Sequence, residues 1–590
     1  MALLQRGSCG TMNPPGKYDE SSDIHIRSGI SEEEKAAVKK RKELVLTTLR
    51  NLGLNANKAP VVSVLVSGGG LRAAIACQGI LSELSNVGLL DLVTYLAGVS
   101  GSTWCMSSLY TKSDGWQNLQ KAENELRRRL QKDKWNFSHA LTGLCMAAKR
   151  DDYSLTDFWS YTLVYFLTKE LLDANLSGSR SQSETGTVPY PIFATVDHYF
   201  KRKGKEKTLK SWFEFTPHEA GYPKLDLSTP GAYVSTTLYG SKFKAGKLIQ
   251  QEAERDLSYL RGLFGSALAD RNSILTSIRD FLLKFIHQDS TEKQNLLGLY
   301  PKEIEGKGLV LEGDILKTIM EELVTLVYIF TTGGDYLPVL ESLQFKMAGY
   351  KDFSQSQRMI TKMLQHSRQT SSDQQRQSIL DLLTEVLKHD AKEERNIRPF
   401  IQFIWKTFKC LLFWTWGTTN NFLYKYGDIK DKDLTDRENL YLMDAGLDIN
   451  CAYPLVLPPV RDTDIILSFD FSEGDPFLTI KDTAKYCKAC NIPFPPVDED
   501  KLDQDAEAPS DFYIFEREKG PVVMHFPLFN KVNCGSPEVI KKRRETFATF
   551  RFDDYSDDEV RQLLEDAKAN VRNNKERILG KICTLARAAS

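Results

Sequence analysis

The stretch Thr94–Tyr110, TYLAGVSGSTWCMSSLY, decides how the chain is read. At its centre Gly98-Val99-Ser100-Gly101-Ser102 has the form G-x-S-x-S. The apolar run Leu92–Ala97 enters it as a buried strand, and the helix-compatible run Thr103–Tyr110 leaves it. A serine between small residues at a strand-to-helix turn is the setting of a nucleophile elbow. Small neighbours permit the sharp turn that lifts the hydroxyl out of the sheet. The following helix points its positive end at that oxygen, which favours negative charge developing beside it. The commoner elbow closes on a second glycine, and here Ser102 takes that place. The plain alternative is a Gly/Ser-rich turn without chemistry.

One strand earlier, Val61–Val66 (VVSVLV) is a β-prone apolar run. Ser67-Gly68-Gly69-Gly70 follows directly, then Leu71-Arg72 and a helix to about Leu90. The order strand, glycine turn, helix, strand, serine elbow, helix places both turns at the carboxyl edge of one parallel sheet, where open α/β sheets bind ligands. Consecutive glycines expose backbone N–H groups that can hold an anion or oxyanion at a helix N-terminus. Arg72 in the first turn opposes the helix dipole, which an anionic ligand held by both would explain; a solvent-facing arginine is the alternative. Gly68–Ala73 also fits the dinucleotide fingerprint G-x-G-x-x-A, which would make the chain an oxidoreductase. That fingerprint wants an acid closing the second strand. Asp91 has about the right spacing but precedes the strand, and the elbow takes the closing position.

The chain has 590 residues, 41% of them hydrophobic, and a net charge of −1. This composition supports a folded core and is not that of a basic nucleic-acid binder. No apolar run is long enough to span a bilayer, and the N-terminus lacks the apolar centre of a signal peptide. Ten scattered cysteines read as reduced, buried thiols. Cys487-x-x-Cys490 has neither a second pair nor a histidine pair at zinc-finger spacing. Residues 1–30 read as a flexible arm, and Ser31-x-x-Glu34 as a capping box opening an amphipathic helix. Residues 113–186 read as helical and polar, ending in a loop at 177–187. Pro191–Asp197 and Trp212–Thr216 read as paired strands, with the basic run Lys201–Lys207 between them as a hairpin tip or an attractor of anionic lipid. Residues 354–378 hold few large apolar residues and read as a mobile insertion, within a lid-like region from about 300 to 400. Ile401–Trp416 reads as core or as a rim that meets lipid chains. Glu438–Met443, Ile465–Phe469 and Val522–Phe529 read as strands, and Ser556-x-x-Glu559 opens a closing helix. The expected class is α/β, with a central, mostly parallel sheet flanked by helices.

A serine nucleophile needs a base. Of eight histidines, His525 is the best placed, late in the chain and inside a strand, although a buried structural role also suits it. An aspartate serves if its surroundings raise its pKa. Asp444 and Asp470 both close apolar strands, and the residues alone rank them equally.

Taken in order, nine stretches resemble the cytosolic, group IV phospholipases A2, whose catalytic domain is patatin-like, and most nearly the gamma branch without an N-terminal C2 domain. They are SGGGLRAAIACQGILSEL (67–84), TYLAGVSGSTW (94–104), YSLTDFW (153–159), PYPIFA (189–194), WFEFTPHEAG (212–221), LRGLFGSALA (260–269), WTWGTTNNFLY (414–424), DAGLDINCAYPLVLPP (444–459) and IILSFDFSEGDPF (465–477). The resemblance implies a single catalytic domain over 31–590 without a C2 domain. It implies Ser100 as nucleophile and Asp444 as general base, a dyad without histidine. Gly69 and Gly70 match oxyanion-hole glycines, and Arg72 and Arg461 match arginines that serve the substrate phosphate. The implied reaction is calcium-independent hydrolysis of a phospholipid acyl ester through an acyl-serine, with no metal or other cofactor and no nucleic acid. The implied setting is the cytoplasm, peripherally on phospholipid membranes. The C-terminal Ala586-Arg587-Ala588-Ala589-Ser590 departs from the prenylation box that the gamma branch can carry, since Cys583 lies too far from the end. A membrane-binding protein of this fold without turnover is the remaining alternative.

Overall fold

The computed structural model describes residues 24–588 apart from 55, 113–114, 132–135, 203–208, 226–228, 267–270, 288–313, 368, 391–397, 459, 519, 550 and 552–553. Chain order gives β1 His25–Arg27, α1 Glu32–Asn51, β2 Val62–Val66, α2 Gly70–Asn86, β3 Tyr95–Gly98 and α3 Gly101–Thr111. Then come β4 Tyr190–Asp197, β5 Trp212–Phe215, β6 Glu219–Tyr222, β7 Gly231–Ser235, β8 Lys242–Lys244 and β9 Lys247–Gln250. The last strands are β10 Thr418–Asn420, β11 Asn439–Asp444, β12 Ile465–Asp470, β13 Tyr513–Phe515 and β14 Val522–Pro527. The main sheet runs β1-β7-β6-β5-β4-β3-β2-β12-β14-β13, with β11 added to β4 and β10 to β11.

Only the centre, β4-β3-β2-β12-β14, is parallel. The wings are antiparallel, so the sheet is mixed rather than mostly parallel. Connection length explains the difference. The short link from Phe215 to Glu219 can join only antiparallel neighbours, whereas α2 and α3 give the central strands room for crossovers. Along β2 the side chains alternate between two cores. Val62, Val64 and Val66 face one with α2, and Leu65 faces the other with Ala97 and Val99. A strand buried on both faces reads as the continuous apolar run seen in the sequence.

The helix α2 is enclosed between the sheet and the long C-terminal helix Asp557–Ala588. A Cβ on Gly79 would meet the Leu564 carbonyl oxygen at 3.0 Å, so the two helices cross at backbone distance. Both helices are capped by the expected serine, but only Ser556-x-x-Glu559 closes a reciprocal box, because Arg461 takes the Glu34 carboxylate. The Ser31 hydroxyl accepts from the Glu34 N–H at 3.1 Å, and the Ser556 hydroxyl from the Glu559 N–H at 3.2 Å.

A third, wholly helical core lies between β9 and β10 and along Phe137–Thr168. Residues 354–378 belong to it, as the helix Ser354–His366 and the start of Ser372–Asp390. Their few apolar residues suffice because Ile360 is buried and Met359, Met363 and Leu364, at helical spacing around it, pack partly buried against the same core. Ile401–Trp416 is chiefly core, burying Phe403, Phe408, Leu411 and Leu412 and exposing Phe413. Within the expected arm, residues 25–27 form an edge strand on β7, while residues 1–23 lie outside the described residues. So does 203–207 of the basic run. Among the described residues no helix is long and apolar enough to cross a membrane.

Asp566, on the C-terminal helix, approaches Arg543 Nε at 3.1 Å. Burial nevertheless pushes its carboxyl up to about 6 from an ordinary 3.8. An acid whose folded pKa is raised holds its proton more tightly when folded. It therefore penalises the fold at neutral pH, and the penalty fades as pH falls through about 6 toward about 4. Asp566→Asn is expected to raise the melting temperature at neutral pH, by a gain of at most about 3 kcal/mol, and to leave it unchanged near pH 4. Melting curves of both proteins across this range check the sign.

Candidate active site

The site forms where two strands meet end to end. On one flank of β4, β3 pairs with Tyr190–Phe193 and ends at Gly98, opposite Phe193. The other flank is taken by β5, so β11, which pairs with Thr195–Asp197, must continue the flank that β3 leaves. β11 runs antiparallel to β4, toward β3, and Asp444 lies opposite Thr195. The register thus sets Asp444 two positions beyond Gly98, where a straight β3 would have placed residue 100. The chain of β3 instead turns away at Ser100.

That turn is strained. Ser100 has φ 52° and ψ −128°, a conformation that costs a non-glycine residue on the order of 1–3 kcal/mol. Close packing holds it there. Gly101 lies so tightly against the Gly70 carbonyl that a Cβ would overlap it, and the Ser102 hydroxyl donates to the Ser67 carbonyl at 2.5 Å. The Ser100 carbonyl accepts from the Thr103 N–H at 2.9 Å. Ser102 in place of the usual glycine therefore fastens the elbow to the glycine turn.

The glycine turn needs glycine. Gly69 has φ 149° and Gly70 φ 58°, both in the region that side chains disfavour. A Cβ on Gly68 would come within 2.8 Å of Ser100 Cβ. Gly69 caps α2 without a side-chain partner for the helix, and among the described residues no acceptor takes the N–H of Gly69 or Gly70. Gly69 and Gly70 open α2 directly after Gly68, which packs on Ser100, so the positive end of α2 lies near the elbow.

Asn450 locks the parts together, and the sequence reading does not single it out. Its Oδ1 accepts from the Gly68 N–H at 3.2 Å while its Nδ2 donates to the Gly68 carbonyl at 3.2 Å and to Ser472 Oγ at 3.0 Å. A Cβ on Gly446 would lie 3.0 Å from Asn450 Oδ1 and 3.1 Å from Asp444 Oδ1. Ser100, Gly68, Asn450, Gly446 and Asp444 are thus consecutive neighbours. Asp444 is fully buried, its Oδ1 accepts from the Gly446 N–H at 2.8 Å, and its own N–H donates to Ser266 Oγ at 3.1 Å. Only this spatial pairing marks Asn450, because an asparagine in a loop carries no signal by itself.

The competing bases are committed elsewhere. Asp470 accepts from the Ser472 N–H at 2.8 Å and from Thr479 Oγ1 at 2.7 Å. His525 sits on β14, three strands from β3. Its Nε2 is 2.7 Å from the Pro476 carbonyl oxygen, its Nδ1 is 3.3 Å from Ser468 Oγ, and burial pushes its pKa down.

Neither expected phosphate-binding arginine is open to a ligand. Arg72 is buried beside the glycine turn, 2.7 Å from where a Gly69 Cβ would stand. Its guanidinium donates to the carbonyls of Phe471 (2.8 Å) and Phe547 and to Thr549 Oγ1 (3.0 Å). Arg461 lies over Tyr95, the first residue of β3, at the opposite end from Ser100. It is ion-paired with Glu34 and Glu214, each at 2.7 Å; burial by itself would lower its pKa, and the two carboxylates together outweigh that and raise it. An arginine that neutralises two buried glutamates and ties α1 to β5 acts as a structural tie. Asp91, which the dinucleotide reading needs, is exposed in the turn before β3, away from the glycine loop. Cys487 and Cys490 are buried free thiols, and among the described residues no cluster of His, Cys, Asp or Glu could hold a metal.

A serine on a strained elbow, a strand-ending carboxylate met head-on and a glycine turn between them are the parts of a serine hydrolase. The family model described as a lysophospholipase catalytic domain matches residues 62–296. Cytosolic phospholipase A2 gamma of Mus musculus is 44% identical, over 96% of this chain and 93% of its own length. The Homo sapiens protein of that name is 42% identical, over 96% of this chain and 97% of its own. The solved structure of human GIVD cytosolic phospholipase A2 shares the fold at a TM-score of 0.62 and 23% identity, over 98% of this chain and 69% of that one. The chain belongs to the cytosolic phospholipase A2 family, a family of ester hydrolases.

Arg461→Gln should leave Glu34 and Glu214 buried together without a cation. A cost of about 3–5 kcal/mol is expected, read as a lower melting temperature. An unchanged melting temperature would show that Arg461 does not act as the tie.

Proposed function

We propose that the chain hydrolyses the fatty acyl ester of glycerophospholipids and lysophospholipids through Ser100 and Asp444, without calcium. The observation that carries this reading is the left-handed backbone of Ser100 at the point where β3 and β11 converge. Asp444 takes the Ser100 proton as the hydroxyl oxygen attacks the ester carbonyl. The N–H groups of Gly69 and Gly70 receive the oxyanion. Asp444 then returns the proton to the departing alkoxide, and a lysophospholipid leaves an acyl-serine behind. Water, deprotonated by the same carboxylate, releases the fatty acid; a lysophospholipid alcohol in its place gives transacylation.

Arg72 acts in this scheme through position. It anchors Phe471 and the Phe547–Thr549 segment to the glycine turn, and its charge adds to the positive field there. Each step uses a hydroxyl, a carboxylate or a backbone N–H, which is why calcium has no part. The substrate places the protein at a phospholipid surface, reached from the cytoplasm.

Ser100→Ala is expected to abolish fatty acid release from phosphatidylcholine vesicles. Asp444→Asn should lower the rate by about a thousandfold or more while melting as the parent does. Retained activity in Asp444→Asn together with loss in His525→Ala would overturn the dyad. Excess EGTA should leave the parent's rate unchanged, and a loss restored by calcium would overturn the calcium independence.

A further inference from the structure

Among the described residues Phe345 is the most exposed large apolar side chain, at 82%. It lies on the helix Leu337–Met347, whose core stripe is already filled by Leu340, Leu343 and Met347 on the other face. The chain then turns through Gly349, at φ 88°, into the helix Ser354–His366. Residues 348–352 are all exposed, Tyr350 to 48%. Gln344 Nε2 donates to Thr361 Oγ1 at 2.7 Å, and Gln357 Nε2 to the Met347 carbonyl, which holds the two helices side by side. On these two helices and the link between them the exposed cations Lys351, Arg358 and Lys362 accompany the aromatic pair, against the exposed acids Glu341 and Asp352. Lys346 is engaged by Glu322.

We infer that this corner seats the protein on an anionic phospholipid surface, an occupant chosen on the strength of the phospholipid-hydrolase reading. Phe345 enters the acyl boundary and Tyr350 rests at headgroup level, where an aromatic body with a polar tip is most stable. Lys351, Arg358 and Lys362 extend to the lipid phosphates. The exposed aromatic pair and the excess of cations over acids both favour a charged lipid face.

The test uses full-length protein and two vesicle preparations, pure phosphatidylcholine and phosphatidylcholine with a fifth phosphatidylserine. Co-sedimentation is run in the Ser100→Ala background, so that binding is read without turnover. Adding Phe345→Ala and Tyr350→Ala should weaken binding to both preparations about tenfold. Lys351→Glu, Arg358→Glu and Lys362→Glu together should remove the preference for phosphatidylserine. With Ser100 intact, both sets should hydrolyse a monomeric short-chain ester at the parent rate, which separates a failed docking surface from a failed catalytic reading. As a second readout, Phe345→Trp should shift its emission to the blue when anionic vesicles are added. Unchanged vesicle binding in both sets, or no emission shift, would overturn the inference. So would a concentration-dependent dimer that Phe345→Ala dissolves without loss of vesicle binding, which would assign the corner to a second copy.

Discussion

Everything at the candidate site depends on how β4 is shared. One flank of this eight-residue strand serves two partners in succession, β3 from one end and β11 from the other. Had β3 run straight on, there would be no room for β11, and Asp444 would have no place beside the elbow. The strain at Ser100 is thus the local consequence of a shared pairing edge, and the sheet's hydrogen bonds sustain it on both sides. Elsewhere such a conformation would relax.

The second constraint is the bracket around the glycine turn. Gly68 is gripped from both its N–H and its carbonyl by Asn450, Gly70 is pressed against Gly101, and Gly69 is overlain by the Arg72 guanidinium. Three segments far apart in sequence therefore fix the orientation of two N–H groups. Donors held this way need no reorganisation to meet a negative charge, which is what the proposed oxyanion role asks of them. Arg72 carries a structural share of this bracket, which explains a cation in the first turn of α2 as well as an anionic ligand would.

Much of this was legible in the residues. The strand at 61–66, the elbow and the serine caps at Ser31 and Ser556 follow from apolar runs, small residues and S-x-x-E spacing, all of them local signals. The resemblance separated Asp444 from Asp470 at a point where strand-ending aspartates look alike. The antiparallel wings and the pairing of β11 with β4 were not legible, because register between distant strands leaves no local mark. The burial of Arg461 was hidden for the same reason, since its partners Glu34 and Glu214 lie hundreds of residues away. Residues 354–378 are helical despite their polar composition, because a helix in a multi-helix layer needs only a thin apolar stripe.

The central claim is that the strained hydroxyl of Ser100 is the group that attacks. A fluorophosphonate with a fatty acyl chain, followed by digestion and mass spectrometry, tests it most directly. The account predicts one adduct, on Ser100, that forms much more slowly when Asp444 is replaced by Asn. An adduct on any other residue, or labelling of Ser100 at the same rate without the carboxylate, would contradict it.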